Sequence, residues 1–231
     1  MNPKRIFITL LLACSLQSTA GAQTAAGDVC QINESDLTSA SGIVATLHDT
    51  LIAIMKDAAA LGYQGRYAKV EPIIANHFNT PLIVKTVLGS RYWSTLTDAQ
   101  QTDFIRLFQQ LSIATYADRF DEYDGEQFVE LTRNALPLRG QCPPPAGREP
   151  PAKRILVKTE LRRINDDPVN LEYLQQYIDG KWYVITVIAD GVNDLSLKRG
   201  EYADVIKKKG FDGLVEEIKT KIKNMETGAA S

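Results

Sequence analysis

The chain has 231 residues and a formal net charge of −2. It has no basic excess of the kind a phosphate backbone selects, which argues against nucleic acid as a partner. About two hundred residues remain beyond an N-terminal leader, room for one large domain or one domain with an appendage.

Residues 1–22 read as a secretory leader. Lys4 and Arg5 precede an apolar run from Ile6 to Leu12, and Ala20, Gly21 and Ala22 offer small residues for cleavage. The run is too short to span a bilayer. A lipobox-like stretch, Leu11-Leu12-Ala13-Cys14, is the weaker alternative, since Cys14 lies so close to the start. Cleavage removes Lys4 and Arg5 and leaves a charge of −4. No later run of about eighteen apolar residues follows, so the mature chain is expected to be soluble. Residues 23–35 read as a tail, 36–226 as one domain, and 227–231 as a loose end.

Asp36 or Ser41 can cap a helix reaching Leu61, with Val44, Leu47, Leu51, Met55 and Ala58 on its apolar stripe and Gly62 as its stop. A shorter helix spans about Arg66 to His77, kinked or restarted at Pro72. Thr80 as cap and Pro81 behind it open a third. Thr97 and Gln100 form a capping box for a long helix. That helix carries Phe104, Phe108 and Leu111 on one stripe and Ile113, Tyr116 and Phe120 on another, more apolar surface than one helix seam needs. Continued to Asp124-Gly125, it would align Tyr116, Phe120 and Tyr123 on one face.

After Gly125 the period changes from helix to strand. The first strand starts near Glu126. The second alternates Ile155, Val157, Thr159 and Leu161 against Lys158, Glu160 and Arg162. The third places Val169, Leu171 and Tyr173 on one face, and Asp179-Gly180 signals a hairpin. The fourth, "KWYVITVIAD", is apolar on both faces and reads as a central, doubly covered strand. Four sequential strands most simply form an antiparallel meander. Between the first two lies "GQCPPPAGREPPAK", which holds half of the ten prolines. It is an extended surface loop or a docking motif for a partner. Cys30 and Cys142 survive cleavage, and in an oxidising compartment they form either one disulfide or two independent thiols. Two helices close the chain, separated at Gly210, with Phe211, Leu214, Val215, Ile218 and Ile222 on one face of the last.

Reactive chemistry is scarce. His48 and His77 stand apart without a neighbouring motif and read as helix-surface or packing residues. No zinc-protease pair, nucleophile elbow or phosphate loop is present. The acidic stretches "DEYDG", "INDDP" and "ADGVND" lack the ligand order of a calcium loop and read as turns. Lys207, Lys208 and Lys209 suit a solvated helix end better than an acidic lipid surface. No catalytic residue, metal site or cofactor is expected. Three classes remain: a carrier for an apolar ligand, an interaction module, and an enzyme with unrecognised acid and base groups.

A family resemblance narrows these. "VLGSRYWSTLTDAQQTDFIRLFQQLSIATYADRFDEYDGEQF" resembles the hallmark segment of MlaC-like, toluene-tolerance proteins, which bind phospholipid in the periplasm. The matching positions are Leu88-Gly89, Tyr92-Trp93, Thr97, Gln100, Phe104, Phe108, Thr115-Tyr116-Ala117, Tyr123 and Gly125. Further on, the Trp182 strand, Asp190-Gly191-Val192, Arg199, Tyr202, Gly210 and Leu214 match in order, so the likeness runs from about Gly42 to Ile222. "GYQGRYAKVEP" and "SIATYADRFDEYDGEQF" are most similar to the hopanoid-biosynthesis-associated branch, HpnM. Ser90, the proline-rich insert and the cysteine pair depart from the pattern.

The resemblance implies an α+β fold, a curved antiparallel sheet of about four strands packed by helices over an apolar cavity. It implies a periplasmic carrier of phospholipid or a hopanoid-like lipid, working between an inner-membrane lipid transporter complex and an outer-membrane lipoprotein complex, with transient contact at the membrane surface. The alternative is an accessory module that binds a transporter or hopanoid enzyme without carrying lipid. The expected lipid-binding wall is Phe104, Phe108, Leu111, Tyr116 and Phe120 on the long helix, with Val157, Leu171, Tyr173, Val184, Val187 and Val192 opposite. Leu174 and Ile185 are the alternates if the other sheet face points inward, and the alternative for all of them is a solid core.

Overall fold

A computed structural model describes residues 30–164 and 166–228. The leader and the Cys14 alternative lie outside the described residues, as does the end of the chain after Gly228.

Helix α1 (Glu34–Lys56) begins about two turns ahead of Ser41. Asn33 is its cap, accepting from the Asp36 amide while the Asp36 carboxylate accepts from the Asn33 amide, which satisfies two otherwise orphaned donors. Ser41 lies inside the helix and donates to Glu130 on the sheet. The helix stops at Lys56 rather than Leu61, and α2 (Ala58–His77) follows after Asp57. Within α2 the break falls at Gly62, whose φ of 58° and ψ of −177° only glycine adopts cheaply; Pro72 is carried inside the helix. Asn79, not Thr80, caps α3 (Thr80–Leu88), through a 2.9 Å bond from the Leu82 amide. A single turn, α4 (Ser90–Trp93), leads to α5 (Asp98–Arg119), where Thr97 and Gln100 form the expected capping box. The helix ends at Arg119, five residues short of Asp124, so Tyr123 is not on the Tyr116–Phe120 stripe. The Tyr123 ring instead lies beneath the Lys56 ammonium, 5.1 Å from its centroid.

The sheet is an antiparallel meander in sequence order: β1 (Gln127–Ala135), β2 (Arg154–Arg162), β3 (Val169–Ile178), β4 (Lys181–Ala189) and the two-residue β5 (Val192–Asn193). Ile155, Val157, Thr159 and Leu161 on β2 are buried, as the alternation predicts. The position of β4 differs from expectation. It is the last long strand rather than a central one, with only β5 beyond it. Its unbroken apolar run has another cause. Gln175 pairs Val184 and Tyr173 pairs Val187, with a register shift at Ile185 between them. In a regular strand, residues three apart face opposite ways. The extra residue restores the phase, so Val184 and Val187 both face the helices.

Helix α6 (Asp194–Thr227) closes the fold and bends at Gly210, where φ is 74° and ψ −178°. Two cores result. One joins α1, α2, Ile113 of α5 and the inner sheet face, with Leu47, Leu51, Ile54, Ile155, Val157 and Val184 fully buried. The other joins α3, α5 and α6 around Phe104, Phe108, Leu111, Tyr202 and Leu214. The two apolar stripes of α5 thus serve two cores, which accounts for its wide apolar surface. Helix α1 has the length and hydropathy to cross a bilayer, but it buries Val44, Leu47, Leu51 and Ile54 against the sheet. Cys30 and Cys142 are disulfide-bonded, tying the start of the described chain to the proline-rich loop.

Candidate functional site

A cavity of about 640 Å³ lies between the helices and the inner face of the sheet. That is mid-range for pockets that hold small organic ligands, which run from about 300 to 1,000 Å³. Its helical wall is Leu51 and Met55 from α1 and Tyr116 from the last turn of α5, continued by Phe120. The sheet wall is Leu161, Val169, Leu171, Tyr173, Val187 and Ala189. Val192 and Leu197, both strongly exposed, form a lip where β5 passes into α6. Tyr116 stacks on Phe120 with centroids 5.9 Å apart, Phe120 leans on Phe128, and Phe78 meets Tyr116 edge-on.

The polar groups sit at two levels. Inside, the Tyr173 hydroxyl is 2.9 Å from Nε2 of His48, which stacks on Phe128 with ring centroids 3.9 Å apart. Burial pushes the His48 imidazole down to about 4, so at neutral pH it is uncharged. Burial raises Tyr116 and Tyr173, the first helped by the Asp194 carboxylate and the second by Tyr116, and both keep their phenolic protons. Tyr116 and Tyr173 therefore bring no formal charge to the cavity wall, and His48 behind Tyr173 brings none either. Charge gathers at the rim, on Arg119, Asp121, Glu122, Asp124, Glu126 and Arg163, with Asp166 and Asp194 beside them. Gly125 holds a φ of 79° there, and a Cβ on it would meet Ile164 at 2.6 Å.

Of the wall residues expected from sequence, Tyr116, Phe120, Leu171, Tyr173, Val187 and Val192 come together around this cavity. Val157 and Val184 face the same way but are packed in the first core. Phe104 and Phe108 lie in the second core, against Tyr202 and Phe211, and Leu111 borders a separate hollow beside α6. The physical reason is rotation along α5. Phe104, Phe108 and Leu111 lie on the face of α5 turned to α3 and α6, and Ile113, Tyr116 and Phe120 on the opposite face, turned to the first core. The inward face is that of Tyr173, not of Leu174. Leu51, Met55, Leu161 and Val169 join the wall without having been singled out for it. Each continues an apolar series visible in the sequence, the α1 stripe and the strand alternations. Arg119, Glu126 and Arg163 carried no such signal, because their grouping depends on loops.

Among the described residues, no group of three or more His, Cys, Asp or Glu is placed to hold a metal. His48 is a packing residue, as its isolation suggested. Lys208 and Lys209 form ion pairs with Asp204 and Glu217 on α6.

Residues 45–220 match the model of the MlaC protein family. The chain belongs to the MlaC family. Among solved structures, it is similar to the phospholipid-binding protein of Ralstonia solanacearum, determined in complex with a phospholipid. The two share 23% identity and superpose with a TM-score of 0.61, covering 81% of this chain and 98% of that one. At that identity the likeness speaks for the fold. MlaC membership and the matching superposition agree with the antiparallel sheet and its helical cover.

Proposed function

We propose that this chain is a periplasmic lipid-binding carrier that shelters the tails of a phospholipid or hopanoid-like lipid in the cavity between α5, α1 and the sheet, without covalent chemistry. The observation that carries the proposal is the pairing of an apolar cavity of about 640 Å³ with a charged rim, in a chain of the MlaC family. A sixteen-carbon chain costs on the order of 12 kcal/mol to expose to water, at about 0.8 kcal/mol per methylene. A dry slot of comparable area removes most of that cost. Most of the charged lining residues are exposed and can stay solvated around a head group, while Tyr116, Leu171, Tyr173 and Val187 offer a tail apolar surface. The Ralstonia protein, with the same fold, holds a phospholipid.

In this reading the tail-contacting residues are Tyr116, Phe120, Leu171, Tyr173, Val187 and Val192, and the lipid-binding domain spans 36–226 behind a cleaved leader, with 23–35 and 227–231 as tails. The carrier would exchange lipid with an inner-membrane lipid transporter complex and an outer-membrane lipoprotein complex through transient contacts. Hopanoid cargo is favoured only by the two segments similar to the HpnM branch. Native mass spectrometry of protein purified from the periplasm tests the proposal. A lipid mass should co-purify with the wild type and be lost from Leu171→Asp. A lipid-free wild type that still binds a transporter component would favour the accessory module instead.

A further inference from the structure

We infer that the rim selects lipids whose head group carries an ammonium beside its phosphate over lipids whose head group is purely anionic. This rests on the carrier reading, because it assigns the head group to the rim of the same cavity. The lining holds six carboxylates, on Asp121, Glu122, Asp124, Glu126, Asp166 and Asp194, against the two guanidiniums of Arg119 and Arg163. Nearby cations offset this only in part. Lys198 is bound to Asp194 at 2.8 Å, and Lys56 is engaged with the Tyr123 ring. Among the described residues, Asp121, Glu122 and the Asp124 carboxylate have no ion-pair partner.

Glu126 is the most informative of the six. Its side chain is 10% exposed, and it faces the cavity. One carboxylate oxygen accepts from the Asp124 amide at 2.6 Å. The other has only the Arg163 Nε, at 4.0 Å, too long for a hydrogen bond. The second oxygen therefore keeps an acceptor position that an ammonium brought by a ligand can take. Arg163 is also 4.0 Å from Asp166, so its guanidinium is held loosely from two sides and remains open to a phosphate. Arg119 supplies a second donor on the helix side of the rim. A zwitterionic head thus finds partners for both of its charges. A head with a phosphate and no ammonium meets the same two guanidiniums but leaves the surplus of carboxylates repelling it.

The test uses the full mature chain, stripped of lipid and incubated with vesicles of equimolar phosphatidylethanolamine and phosphatidylglycerol with identical acyl chains. Bound species are counted by native mass spectrometry. Phosphatidylethanolamine should exceed phosphatidylglycerol by roughly five-fold, the size of one exposed ion pair. The ratio should fall towards one in the double variant Asp121→Lys, Glu122→Lys, and in the wild type at high salt. Equal occupancy, or an excess of phosphatidylglycerol, overturns the head-group inference and leaves the carrier reading standing. A preference untouched by both the double variant and salt overturns the rim charges as its cause. Binding of neither lipid overturns both readings.

Discussion

The imidazole of His48 on α1 and the hydroxyl of Tyr173 on β3 are hydrogen-bonded at 2.9 Å across 125 residues of sequence. The pair joins helix to sheet behind the cavity wall that Tyr173 lines, and burial there favours the neutral imidazole. Burial lowers the His48 pKa from 6.5 to about 4. A folded value below the unfolded one means the unfolded chain binds more protons between these limits. The stability contribution is therefore complete above pH 6.5 and lost as pH falls towards 4. The loss amounts to about 3 kcal/mol at most. Urea unfolding of wild type and His48→Gln across pH 4 to 7 should show a shallower decline in the variant. Identical pH slopes would refute the assignment.

The division of α5 between two cores separates effects that would otherwise look alike. Leu171→Asp places a charge on the cavity wall and should abolish lipid occupancy, at a modest stability cost because Leu171 is only half-buried. Phe108→Ala removes a ring packed edge-on against Tyr202 and should cost about 3–5 kcal/mol. Below its lowered midpoint, that variant should still carry lipid. Comparing occupancy with chemical unfolding of each protein checks both, and a Phe108→Ala protein that is folded but empty would contradict the division.

The disulfide closes a loop of 112 residues between Cys30 and Cys142. In the chain-entropy picture, cross-linking a loop of that size stabilises by roughly 2–5 kcal/mol. Cys142→Ser should lower the denaturation midpoint by that order and remove the sensitivity to reductant. No difference between oxidised and reduced wild type would show that the bridge constrains little.

Gly210 turns α6 through a backbone conformation that a side chain disfavours, although no atom lies within 4 Å of a Cβ built there. Gly210→Ala should therefore destabilise through backbone strain alone, by about 1–3 kcal/mol. Calorimetry of the variant measures it. A neutral result would mean the bend relaxes into a continuous helix.

Much of this architecture is legible in the chain. The capping box at Thr97 and Gln100, the β2 alternation and the breaks at Gly62 and Gly210 are local chemistry, and local patterns reveal them. Asn33 and Asn79 were harder, because neighbouring residues could cap equally well and tertiary contacts decided: Ser41 was drawn to Glu130 instead. Strand β4 misled because a bulge at Ile185 makes two apolar phases look like two covered faces. At the candidate site, the periodic wall residues were visible as a series. The rim was not, since Arg119, Glu126 and Arg163 meet only after the helix ends and the sheet begins. Phe104 and Phe108 were the converse case, with the right residue types on the face of α5 turned to α3 and α6.

Because the early turns of α5 are committed to a solid keel with α3 and α6, the hollow beyond its last turn can be reshaped without touching the foundation. In the carrier reading, substitutions at Phe120, Leu171 or Val187 would alter the hold, while Phe104, Phe108 and Leu214 belong to the packed core that keeps the vessel upright. In that reading, descendants of such a chain would be free to change freight by drifting at one end of a single helix.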